Sequence, residues 1–202
     1  MIFRVIYILL FLISLTSSLF SQDQTVGVFS CDDNVYEGYT LFSPSKNTYL
    51  IDNCGNLINQ WTSQYRPGLA VYLLEDGLLL RTNKVNNNNV FSGGGIGGSL
   101  EKLDWNSNVV WSYHYNSANY HQHHDVEVLP NGNILILAWE RKTAEEAISK
   151  GRNPELLEDN ELWPEHILEI EPIGENDANI VWEWHIWDHL IQDFDPSLPN
   201  YG

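Results

Sequence analysis

The chain is poor in cations: 10 Lys and Arg stand against 27 Asp and Glu, a formal charge of −17. Nucleic acids and anionic membranes are gripped by clusters of Lys and Arg, so this deficit excludes both as partners. An anionic small molecule would need a local positive pocket built against the global field. Cysteine is also scarce, with only Cys31 and Cys54. Their spacing is not that of a metal site, and in an oxidising compartment they are expected to pair as a disulfide. Two unpaired buried thiols are the alternative.

The apolar run from Val5 to Leu15 is too short to span a bilayer comfortably. Arg4 precedes it, and Thr16-Ser17-Ser18-Leu19-Phe20-Ser21 offers small residues for cleavage near Ser21 or Gln22. Residues 1–21 therefore read as a secretory signal peptide, with an uncleaved anchor as the alternative. No cysteine follows the run directly, which argues against a lipid anchor. The expectation is an exported chain, periplasmic or extracellular, without stable membrane association, whose folded part begins at residue 22. Loss of Arg4 with the signal makes it more acidic by one charge.

What is present is a pattern of repeated hairpins. Asn47 to Trp61, Ser99 to Trp111 and His166 to Trp184 each read as strand, short polar turn, strand, Trp. A second hairpin alternates with the first. Leu69 to Arg81 turns at Asp76-Gly77, and Asp125 to Leu137 turns at Asn131-Gly132. Asp-Gly and Asn-Gly predict two-residue turns whose central positions both have φ > 0. Val126, Val128, Ile134 and Ile136 flank the second turn at period two, as a half-buried hairpin requires. The two Gly turns are 55 residues apart, and Trp61 and Trp111 are 50 apart. Four strands in that length is the content of a propeller blade. The fold class expected is all-β, a β-propeller with about three blades over residues 22–202.

Trp111 and Trp182 are 71 residues apart, and the excess has a visible source. Thr143 with Glu146 forms a capping box, and Gly151 closes the turn, so a short helical insertion is predicted over 143–151. It continues as a loop to about Glu165. Gly93-Gly94-Gly95-Ile96-Gly97-Gly98 superficially suggests a phosphate cradle, but it leads into a strand and presents no helix N-terminus. A flexible connection, or backbone pressed close to the propeller axis, is expected. Propellers usually close with four to eight blades, and three open ones expose strand edges. The propeller is therefore expected to continue beyond Gly202, or the chain to assemble with others.

The chemistry-bearing residues concentrate in His121-Gln122-His123-His124-Asp125. Alternation puts His121, His123, Asp125 and Glu127 on one strand face and His124 on the other, with Val126 and Val128. A metal site would use His121, His123 and Asp125, although tetrahedral sites usually gather ligands from several elements. The simpler expectation for His121 and His123 is solvated polar residues ahead of a strand. His124-Asp125 is better placed for catalysis, since the residue opening an inner strand faces the central channel. A core histidine satisfied by backbone is its plain alternative. A second constellation is Asp188-His189, just after the Trp182-Trp184-Trp187 segment, where a carboxylate beside an imidazole could orient it. The three tryptophans are expected to pack between blades. Arg81, Arg141 and Lys142 are the cations near enough to meet an anion, and exposed salt bridging is their default role.

Four segments resemble the bacterial aryl-sulfate sulfotransferases: His123 to Asn133, Trp139 to Thr143, Glu161 to His166, and Trp182 to Leu190. The likeness covers roughly residues 36–202, the N-terminal portion of that family. It implies an exported six-bladed propeller that moves a sulfuryl group from an aryl sulfate ester to a phenolic acceptor, through a sulfo-histidine and without nucleotide cofactor. His124 matches a histidine of the family's sulfate-binding centre. The family's covalent nucleophile, its arginine and another histidine belong to later blades. Catalytic candidates are therefore His124 and, on this chain's own residues alone, His189. His123, Asp125 and Arg141 are the candidate substrate-binding residues. Two other classes compete: a non-catalytic exported propeller serving as a binding or scaffold module, and a metal-dependent hydrolase using His121, His123 and Asp125.

Overall fold

The computed structural model describes residues 28, 30–32, 34–86 and 88–202. The expected signal peptide, residues 1–21, lies outside the described residues. The architecture is β-rich and antiparallel. Strands β1 (Tyr39–Phe42), β2 (Asn47–Asp52) and β3 (Leu57–Thr62) form a three-stranded sheet in chain order. The second sheet follows, with β4 (Arg66–Leu73), β5 (Leu79–Lys84), β6 (Gly98–Leu103) and β7 (Val109–His114). In the third, β8 (Tyr120–Val128), β9 (Ile134–Glu140), β12 (Glu165–Ile173) and β13 (Asp177–His185) are adjacent in that order. Both kinds of predicted hairpin are present, and each four-stranded sheet is one of each kind joined edge to edge.

The hairpin turns differ from expectation in one detail. Gly77 (φ +83°) and Gly132 (φ +88°) take the left-handed conformation, while Asp76 and Asn131 do not. Instead Asp76 Oδ1 accepts from Leu78 N at 3.0 Å and Asn131 Oδ1 from Asn133 N at 3.0 Å. These are longer turns in which the side chain satisfies the loop and glycine alone takes the positive φ.

The insertion between β9 and β12 begins with β10 (Lys142–Thr143) and helix α1 (Ala144–Ser149). The capping box forms as predicted: Thr143 Oγ1 accepts from Glu146 N, and Glu146 Oε2 accepts from Thr143 N at 2.7 Å. The segment expected to be loop carries a 3-10 turn, Pro154–Leu156, and a strand β11 (Glu161–Leu162) paired with β10. Two-residue strands carry too little pattern to read in advance.

The sheets stack face to face. Leu50 and Trp61 of the first pack on Leu79 and Leu103 of the second. The second sheet's other face, with Leu80, Leu100 and Trp111, packs on Val126, Ile134, Ile136, Leu168 and Ile170 of the third. Burying each such large apolar side chain contributes about 1.5–3 kcal/mol, so these seams hold the stack together. Each seam is also latched by a tryptophan. Trp61 Nε1 on β3 donates to Asp104 O in the β6–β7 turn, and Trp111 Nε1 on β7 donates to Asp177 O at the start of β13, both at 3.0 Å.

Arg81 is not the exposed cation expected. It is fully buried between the first two sheets, 3.7 Å from Glu101, its cross-strand partner. Its Nη1 donates to Lys46 O at 3.0 Å and its Nη2 to Tyr65 O at 3.4 Å. Removing Glu101 would leave a buried, unpaired cation, so this pair fixes the seam more than it strengthens it. Cys31 and Cys54 form the expected disulfide, with Cα atoms 5.0 Å apart. Among the described residues no helix is long and apolar enough to cross a membrane.

Candidate functional site

Histidines gather at one end of the third sheet, where β8 begins, β9 and β13 end and β12 begins. Simple alternation along β8 fails there. Gln122 pairs with Ala138 and Val126 with Ile136, so His123, His124 and Asp125 lie opposite the single residue Leu137. The strand absorbs the surplus by a bulge in which His124 takes φ +51°. A non-glycine residue in that region is held against a cost of about 1 kcal/mol or more, so its surroundings must hold it there.

The surroundings are the glycine run. His124 N donates to Gly95 O at 2.7 Å, and Gly97 N donates to Gln122 O at 3.2 Å. Gln122 Oε1 also accepts from Gly98 N at 2.9 Å. A side chain at Gly95 would place its Cβ 2.2 Å from His124 Cε1, so only glycine lets this backbone lie on the imidazole. The run is therefore backbone pressed onto the histidine strand.

The bulge redistributes the side chains. His121 and His123 are buried rather than solvated, and His124 and Asp125 are exposed. His121 lies against Phe91, and its Nδ1 meets Asn88 Nδ2 at 3.0 Å. His123 stacks on Trp139 with ring centroids 4.0 Å apart. Burial lowers the pKa of His121, and burial aided by neighbouring histidines lowers that of His123 to about 4. At neutral pH His123 is an uncharged imidazole.

Its nitrogens have distinct surroundings. His123 Nδ1 and His124 Nδ1 are 2.8 Å apart, so one carries the proton and the other accepts. Among the described residues His123 Nε2 is buried without a hydrogen-bond partner, the nearest carboxylate oxygen, Glu165 Oε1, lying 3.9 Å away. The His124 side chain is exposed, with the Cε1 and Nε2 edge of its ring against the Gly95 backbone.

A second group, which sequence reasoning did not single out, adjoins the first. His166 is buried, stacks on His185 with centroids 5.0 Å apart, and meets Tyr115 Oη through Nε2 at 2.9 Å. His185 Nδ1 contacts Glu140 Oε1 at 3.2 Å, and Lys142 Nζ holds Glu140 Oε2 at 2.7 Å. Burial first, then the neighbouring His185, lowers the His166 pKa to about 4, and burial raises that of Tyr115. The signal available was register: a hairpin turning near Gly174 pairs His166 with His185.

The remaining candidates are dispersed. Asp125 accepts from Tyr72 Oη of β4 at 2.8 Å, raising the tyrosine pKa to about 12, and so faces away from His121 and His123. Arg141 is tied to Glu161 of β11. His189 is exposed on the 3-10 turn Ile186–His189 and stacks on Trp184 at 5.0 Å. Trp182 and Trp184 are exposed rather than packed between sheets. The bulge thus dismantles the triad His121, His123 and Asp125, and among the described residues no three His, Cys, Asp or Glu side chains converge as ligands for a metal ion. A cleft of about 660 Å³ lies between the second and third sheets, lined in part by Tyr72, Glu75, Asp76, Lys102 and Glu127. In the comparisons with known proteins, no protein-family model matches this chain and no curated protein matches it.

Proposed function

We propose that this chain forms part of an exported β-propeller that transfers a sulfuryl group from an aryl sulfate to a phenol, with His124 at its sulfate-binding centre. The observation supporting this is the His123–His124 pair: a buried neutral imidazole lies 2.8 Å, Nδ1 to Nδ1, from a histidine whose side chain is exposed. In the donor half-reaction a histidine attacks sulfur, an S–N bond forms as the S–O ester bond breaks, and the phenolate leaves with the electron pair. The acceptor phenol then reverses these steps. The resemblance to aryl-sulfate sulfotransferases supplies the reaction class.

The test is incubation of the folded protein with phenyl sulfate and a phenol acceptor. Transfer is expected, and His124→Ala should abolish it while folding is retained. No transfer by the folded wild-type protein defeats the reading. The dispersal of Asp125, Arg141 and His189 away from His124 favours a second reading, a binding or scaffold module. In that case His124→Ala leaves both stability and ligand binding nearly unchanged.

A further inference from the structure

The bulge that presents His124 has a counterpart in the second sheet. On β4, Pro67 pairs with Asn83 and Val71 with Arg81, so Gly68, Leu69 and Ala70 lie opposite the single residue Thr82. This is the register of His123, His124 and Asp125 against Leu137. Leu69, the middle residue, takes φ +91° where His124 takes φ +51°. Thr82 holds the bulge: its Oγ1 accepts from Ala70 N at 3.0 Å, and a Cβ at Gly68 would come within 2.9 Å of that oxygen. Gly68 and His123 are buried, while Leu69 and His124 are exposed. The equivalence is one of register and backbone conformation within each sheet, so it does not depend on what lies beyond either.

The two positions also adjoin. β4 and β8 are edge strands of their sheets and lie against each other. Tyr72, three residues after Leu69, donates to Asp125, the residue after His124, at 2.8 Å. Stacked sheets lie about 10 Å apart, so the residue in register on β4 is within reach of a small ligand held at His124. Leu69 is costly where it stands. Left-handed backbone suits Gly, Asn, Asp and His, and is unfavourable for a bulky aliphatic side chain. Among the described residues, the other five non-glycine residues in this conformation are Ser107, His124, Asp159, Asn160 and Asn200, all polar. Leu69 is 67% exposed, so packing by the three sheets does not offset its strain. Strain of this kind, kept without a packing gain, points to a ligand.

We propose that Leu69 is a specificity-determining residue of the site at His124, its side chain being the apolar surface against which the aryl ring of the substrate lies. An aryl sulfate is anionic at one end and apolar at the other. The paired bulges present one side chain for each end, the imidazole for the sulfate and the leucine for the ring. This inference rests on the transfer reading for its substrate class.

Leu69→Gly in the full chain is the test, because it removes the side chain and relieves the backbone at once. The KM for phenyl sulfate is expected to rise about tenfold with kcat within about twofold, the signature of lost binding common to ground and transition states. The urea midpoint should stay level or rise, whereas loss of a residue placed for packing would lower it. Leu69→Met should keep the wild-type KM. An unchanged KM in Leu69→Gly, or a fall in its urea midpoint, overturns the proposal. Phenol alone separates this contact from the transfer reading. Nuclear Overhauser contacts between its ring protons and the Leu69 methyl groups are expected whether or not sulfur moves, and their absence overturns the proposal. If those contacts appear in a wild-type chain that transfers nothing, the transfer reading fails and the Leu69 contact stands.

Discussion

At the level of single residues, the histidine run was visible in the sequence but its division of labour was not. Period-two alternation assigned His121 and His123 to a wet face and His124 to a packed one. The bulge reverses this, because two surplus residues cannot be seen in a string whose partner strand is unknown. What results is a positioning residue, His123, behind a presented one, His124. Replacing His123 with Phe should keep the stack on Trp139 and remove the Nδ1 acceptor. The tautomer populations of the His124 ring are then expected to shift, because the Nδ1–Nδ1 contact of 2.8 Å is lost. Nitrogen NMR shifts of the His124 ring at neutral pH read the tautomer directly, and an unchanged mixture in the variant would show that His123 does not set it.

At the level of elements, the hairpins and the capped helix were legible because each rests on local chemistry: Asp-Gly and Asn-Gly turns, and a Thr143–Glu146 box. The role of the glycine run was only half legible, since its partner, the bulge at His124, lies almost 30 residues on. Gly94 and Gly95 separate local flexibility from close approach. A Cβ added at Gly94 would meet nothing within 4 Å, whereas Gly95 has φ +72° and a Cβ there would strike His124. Gly95→Ala should cost about 1–3 kcal/mol by strain and displacement of the imidazole. Gly94→Ala should change stability by less than about 0.5 kcal/mol. Urea unfolding of the two variants decides this, and equal effects would mean that the loop does not hold the bulge.

At the level of the whole molecule, the buried histidines link stability to pH. His123 and His166 each have a folded pKa of about 4, below the 6.5 of a free imidazole. The unfolded chain therefore binds more protons between those values, and stability must fall as pH falls through that window. Above pH 6.5 both states hold neutral imidazoles and the contribution is complete. At pH 5 the loss is on the order of 2 kcal/mol from each histidine, at about 1.4 kcal/mol per unit. An opposing effect exists, because the chain's charge of −17 repels itself and acid relieves it. Ordinary carboxylates titrate near pH 4, however, so between pH 7 and 5 the histidines dominate. Urea midpoints at pH 7.5 and pH 5 should show the drop, and His166→Gln should remove about 2 kcal/mol of it. His166 faces His185, Glu140, Lys142 and Tyr115, and glutamine can still meet the tyrosine hydroxyl without a proton to gain. A wild-type midpoint that stays level or rises toward pH 5 would mean that these imidazoles are hydrated, and that the end of the third sheet is more open than its packing implies.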